Sequence, residues 1–207
     1  GNSPDACFDV TLDPAPDQAG PITGPTDPCS GSTGVAYSIT AVPGATNYTW
    51  TVPSGATFTG QGSTSILVDW GLSAGGDICV TAENPCGVSA PPCLMVTPFG
   101  PPVLTGAIAG NDVLCANTTG ESYSIAGVAG ATGYTWTITG GVQASGGNST
   151  AITVDWGPGP NGEVCVTADN VCGSSAPLCL SITIDQIPAA PQQLPDETIC
   201  AGATNQI

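Results

Sequence analysis

The sequence predicts an all-β protein, a tandem array of β-sandwich repeats. Three observations carry that prediction. Ile78 to Leu94 reads ICVTAENPCGVSAPPCL and returns at Val164 to Leu180 as VCVTADNVCGSSAPLCL, 86 residues later. Over the 70 aligned positions from Cys29 to Pro98, 37 are identical in the second copy. Short stretches alternate apolar and polar residues between Gly- and Pro-rich turns, and none holds a helical period over ten residues. Residues 17–100 are read as the first full repeat and 101–187 as the second. Residues 1–16 match the C-terminal strand of a preceding repeat, because Cys7 aligns with Cys93 and Cys179. Residues 188–207 match the start of a following one, because Cys200 aligns with Cys115.

The elements follow in order. Ala6 to Leu12 is a strand, and a proline-rich stretch from Asp13 to Pro25 reads as a stiff junction. Equivalent junctions run from Thr97 to Gly106 and from Asp185 to Pro195. Val35 to Ala41 is a strand with Tyr37 and Ile39 on one side. Tyr48 to Val52 alternates so that Tyr48, Trp50 and Val52 share a face. Ala56 to Thr59 is a short strand. Ser63 to Trp70 turns Ile66, Val68 and Trp70 inward. Asp77 to Glu83 turns Ile78, Val80 and Ala82 inward and leaves Cys79 and Thr81 on the other face. Pro92 to Thr97 closes the repeat with Leu94 and Val96 inward. The second repeat copies this pattern, with its changes concentrated in turns.

Composition removes whole classes of function. The chain has no Lys, Arg or His against 16 Asp and Glu, a net charge of -16. Nucleic acid and anionic membrane surfaces require cationic groups, so neither is a partner. No apolar run reaches membrane-spanning length. General-base, Schiff-base and phosphate-clamp mechanisms lose their usual residues, and trypsin has no site to cut. The remaining catalytic option is a carboxylate pair, Asp69 with Asp77 and Asp155 with Glu163, which reads better as solvated strand ends. The expectation is that the chain is not an enzyme.

Ten cysteines without His or C-x-x-C spacing point to disulfides and an oxidising, extracellular location. Cys79 and Cys93 flank the Asn-X-Cys-Gly turn symmetrically, on the face away from the core, which suits a cross-strand bridge. The preferred pairing is Cys29–Cys86 with Cys79–Cys93, and Cys115–Cys172 with Cys165–Cys179. Cys7 and Cys200 then look beyond the window. The rival staples the junctions through Cys7–Cys29, Cys93–Cys115 and Cys179–Cys200, with Cys79–Cys86 and Cys165–Cys172 inside repeats.

The combination of YSI, GATxYTWT, VDWG, CVTAxNxCG and a final CL resembles the PKD-like, immunoglobulin-like repeats of secreted Bacteroidota surface proteins, found in adhesins and in cargo of the type 9 secretion route. The resemblance covers both full repeats and both partial ones. It implies tandem immunoglobulin-like (PKD-like) β-sandwiches serving as an extracellular spacer or adhesive fibre.

Calcium is the ligand hypothesis with most support, since hard cations take carboxylate oxygens. Its candidates are Asp9, Asp13, Asp17 and Asp27 at the first junction, a set that does not recur at the second. The expectation is therefore no metal and no cofactor, with calcium at those four residues as the weak exception. Tyr48, Trp50 and Trp70 fall on the core face rather than on a sugar-stacking platform. Sequons at Asn47, Asn117 and Asn148 mark turns. The expected role is a structural segment of a surface fibre, filament or adhesin stalk; the alternative is a set of adhesin modules that bind carbohydrate or protein. Expected partners are neighbouring repeats and further copies, through apolar anchors at Phe58, Leu67, Phe99 or Leu104.

Overall fold

The computed structural model describes residues 13–186, 188 and 189. Cys7, Asp9, Cys200 and the strand expected over Ala6 to Leu12 lie outside the described residues. Every described element is a strand. In the first repeat these are β1 (Val35–Ser38), β2 (Asn47–Thr51), β3 (Thr57–Thr59), β4 (Ser65–Asp69), β5 (Gly76–Asn84), β6 (Gly87–Val88) and β7 (Cys93–Val96). One sheet runs β1-β4-β3. The other runs β2-β5-β6, with β7 also on β5.

The alternation seen in sequence becomes the core. Tyr37, Trp50, Ile66, Val68, Trp70, Ile78, Val80, Ala82 and Val96 are buried together, drawn from both sheets. The buried indole of Trp50 donates to the Ser63 carbonyl at 2.8 Å, so its polar edge is satisfied. Tyr37 meets Trp70 edge-on, with ring centroids 6.1 Å apart. Its hydroxyl donates to the Pro25 carbonyl at 2.9 Å. Gly24 lies against the Tyr37 ring, where any β-carbon would collide with it.

The second repeat comprises β8 (Val113–Cys115), β9 (Glu121–Ser124), β10 (Gly133–Thr139), β11 (Gly141–Ser145), β12 (Ala151–Trp156), β13 (Asn161–Asn170), β14 (Gly173–Ser174) and β15 (Leu178–Asp185). Its sheets are β11-β12-β9 and β10-β13-β15-β8, with β14 on β13. Tyr123 and Trp156 repeat the edge-on pair, and Trp136 is buried like Trp50. By packing, residues 128–134 and 167–176 belong with residues 13–105 in one compact unit. Residues 106–127, 135–166 and 177–186 form the other.

Two sequence readings change. The stretch from Asp13 to Pro25 is not a free-standing junction. Ala19 and Ile22 are buried in the first core, and Thr23 pairs with Ser38. Its prolines and small residues supply an extended edge rather than a spacer. Of the four expected apolar anchors, Leu67 is exposed, whereas Phe58 packs partly against the core and Phe99 and Leu104 are half-buried.

Candidate functional site: a cysteine clasp

The turn after β5 places one cysteine at its tip. Asn84 Oδ1 accepts from the backbone N–H groups of Cys86 at 2.9 Å and Gly87 at 3.0 Å. This side-chain turn explains why Asn precedes the cysteine by two. Asn84 Nδ2 donates to the Pro14 carbonyl at 2.8 Å, tying the turn to chain 70 residues earlier. The turn after β13 is built in register. Asn170 Oδ1 accepts from Cys172 N–H at 2.8 Å, and Asn170 Nδ2 donates to the Gly100 carbonyl at 3.0 Å.

The cysteine at the start of each repeat has its own mount. Cys29 bridges Phe99 in parallel, and Ser30 N–H donates to the Phe99 carbonyl at 2.7 Å. Cys115 pairs with Asp185 in parallel, and Ala116 N–H donates to the Asp185 carbonyl at 2.9 Å.

Cys29 is bonded to Cys172, with Cα atoms 5.4 Å apart and 143 residues of sequence separation. Cys79–Cys93 and Cys165–Cys179 are also bonded, each between directly opposed residues of neighbouring strands. Cys86 and Cys115 are free and exposed. The preferred Cys29–Cys86 and Cys115–Cys172 bonds are therefore corrected. The rival set is also excluded wherever it is described, because Cys93 and Cys179 are taken. The reason is the length of β5. Gly76 at its start faces Val96, and Cys29 pairs just beyond that end, at Phe99. Cys86 lies past Asn84, at the opposite end. Eight residues of strand at ~3.3 Å each separate the two by roughly 26 Å, far beyond disulfide reach. The same holds for Cys115, beside Asp185, and Cys172, beyond Asn170.

The other candidate residues do not assemble a reactive centre. Asp69 accepts from Gly34 N–H and Asp155 from Gly120 N–H, each at 2.7 Å, so both carboxylates hold a turn. Asp77 and Glu163 sit on strands opposite Met95 and Ser181. Asp13 and Asp17 border a shallow groove with Pro14, Pro43, Gly44 and Asn84, and Asp27 is exposed. One group of three potential metal ligands comes together among the described residues, Glu163, Cys165 and Cys179. Its two sulfurs are already joined to each other, so no thiolate is available to an ion. All three sequon asparagines are exposed, and Asn47 Nδ2 donates to Glu83 at 3.0 Å.

Among the described residues, three groups titrate away from their ordinary values. Burial raises the Tyr37 phenol, partly offset by the Trp70 indole. Burial also raises Tyr123, offset by Trp156 and reinforced by the charges of Glu121 and Asp112. Hydrogen bonds from Thr49, Asn47 and Thr81 lower Glu83.

Similarity to solved structures is distant. Domains A168–A170 of titin align with 17% identity and a TM-score of 0.48, over 81% of this chain and 67% of that one. Domains I9–I11 of titin align with 11% identity and a TM-score of 0.41, over 86% and 65%. Chicken CNTN1 FN1–FN3 aligns with 14% identity and a TM-score of 0.30, over 83% and 67%. No curated protein matches. The PKD-like domain, in contrast, matches twice, over residues 15–96 and 101–182, and on that evidence the chain belongs to the PKD-like domain family.

Proposed function

We propose that this chain is a load-bearing, non-catalytic segment of an extracellular stalk or filament. The observation that carries the reading is the Cys29–Cys172 disulfide, which joins the first family copy to the second. When the chain is pulled from its ends, tension enters at Cys29 and leaves at Cys172 through one S–S bond. The residues between are bypassed, whatever the strength of their strands. Two further disulfides cross-link neighbouring strands of one sheet in each repeat, and bonds of this kind persist outside reducing compartments. The four tryptophans are spent on the two cores and are not presented to a sugar. The absence of Lys, Arg and His leaves no cationic site for an acidic partner.

Single-molecule stretching tests this directly. A separation of 143 residues at about 3.5 Å each locks away roughly 500 Å of contour length. The oxidised chain should extend without that length, and reductant should release it. An oxidised chain that extends to its full contour would show that the clasp does not carry load.

A further inference from the structure

Cys86 and Cys115 are the two exposed free thiols among the described residues. Each is the repeat equivalent of a bonded cysteine, since Cys86 corresponds to Cys172 and Cys115 to Cys29. Their surroundings are equivalent as well. Cys86 is held by Asn84 in the turn that holds Cys172 through Asn170, down to the same contact with chain 70 residues earlier. Cys115 is held beside Asp185 as Cys29 is held beside Phe99. Thr183 N–H donates to the Asp112 carbonyl just as Thr97 N–H donates to the Thr26 carbonyl. Both halves of the clasp are thus present, each mounted as in the bonded pair.

We infer that Cys115 and Cys86 are the two complementary halves of a propagating inter-repeat clasp. Cys115 forms a disulfide with the turn cysteine of the PKD-like repeat that follows along the chain. Cys86 forms one with the leading cysteine of the repeat that precedes it. The inference rests on the load-bearing reading above and deepens it, by naming the partner each thiol takes. Bonding within one repeat is barred by the roughly 26 Å of strand between its two ends. The chemistry is thiol–disulfide exchange with a low-molecular-weight disulfide such as oxidised glutathione. One clasp thiolate attacks the reagent and expels one reduced thiol. The second clasp thiolate then attacks the mixed disulfide and expels the other. One S–S bond forms and one breaks, and two protons and two electrons pass to the reagent.

The test uses the full chain with residues 101–186 duplicated in place, in a Cys7→Ser, Cys200→Ser background, refolded with oxidised glutathione. The added copy brings four cysteines, equivalent to Cys115, Cys165, Cys172 and Cys179. The free-thiol count should not rise above that of the unduplicated chain, because the original Cys115 takes the Cys172 of the added copy. A rise of two thiols, with the added Cys165 and Cys179 still bonded, would overturn the inference. Cys115→Ser at the original position should then free one additional thiol on the added copy. The same change in the added copy should remove one thiol. The opposite pattern would place the bond within one repeat and also overturn the inference. A disulfide-linked dimer at micromolar concentration would assign the thiols to a second chain instead and overturn it too. Peptide mapping of Cys29–Cys172 in the same sample separates the two claims. Its presence without the new bond sinks the propagation alone, and its loss sinks the load-bearing reading itself.

Discussion

At the scale of single residues, the buried tyrosines do more than fill space. Trp156 Nε1 donates to the Tyr123 hydroxyl at 3.1 Å, and that hydroxyl donates in turn to the Asn111 carbonyl at 3.0 Å. Tyr123→Phe keeps the ring and strands both partners. It should cost about 1–3 kcal/mol of stability, the penalty for unsatisfied buried polar groups, and chemical denaturation measures it. The phenols also contribute to stability at alkaline pH. A raised folded-state value means that stability from neutral Tyr37 and Tyr123 is complete below about pH 10, the ordinary phenol range, and is lost as pH rises through the raised values. Glu83 acts in the opposite sense: its contribution is present above the ordinary carboxylate range and is lost as pH falls through its lowered value. With no His in the chain, Tm should be nearly flat between about pH 6 and 8. A sharp change in that window would contradict this account.

At the scale of elements, the sheet-face disulfides are separable from the fold. Cys79 and Cys93 stand on the solvent side of β5 and β7, opposite a core that is continuous without them. The double change Cys79→Ala, Cys93→Ala should leave the sandwich intact. It should lower stability by about 3 kcal/mol, the chain-entropy value for a loop of this length. Loss of the folded circular-dichroism spectrum would show that the bond organises the sheet. This pair was legible in sequence because its information is local. A period of two fixes the face of each residue, and symmetry about the turn fixes the opposed pair. The strands were legible for the same reason, from Tyr48 and Trp50 to Val80 and Ala82. The Cys29–Cys172 bond was not legible in that way. In a periodic sequence Cys86 and Cys172 occupy the same position, so alignment defines the type of partner and leaves its repeat undefined. What resolves the choice is a length, the span of β5 between Gly76 and Asn84, which places a repeat's two clasp cysteines at opposite ends. Asp13 to Pro25 was misread for a related reason, since proline content describes stiffness and says nothing of the core that Ala19 and Ile22 enter.

At the scale of the whole molecule, the clasp closes the longest loop of the three disulfides. A loop of 143 residues corresponds to about 5 kcal/mol in the same chain-entropy picture. Cys29→Ser should therefore lower the thermal midpoint by roughly 10–20 °C and leave Cys172 open to alkylation; an unchanged midpoint would mean that the denatured chain is not constrained by the bond. The net charge of -16 sets a second expectation. Like charge opposes association at low salt, and screening relieves it. Light scattering that rises with salt would fit this, and strong association only at low salt would contradict it. The clasp has one more consequence, which concerns severance. A backbone cut anywhere between Cys29 and Cys172 opens a ring and leaves a single covalent molecule. Cys115 lies inside that ring, so a next ring starting there would begin before the first had ended. Overlapping rings of this kind form a strand with redundant connectivity, in which no single nick within the overlaps parts the two sides. Partial digestion with chymotrypsin should trim the ends outside the ring, at sites such as Phe8 and Leu12, whereas a single cut between Cys29 and Cys172 should separate fragments only after reductant is added.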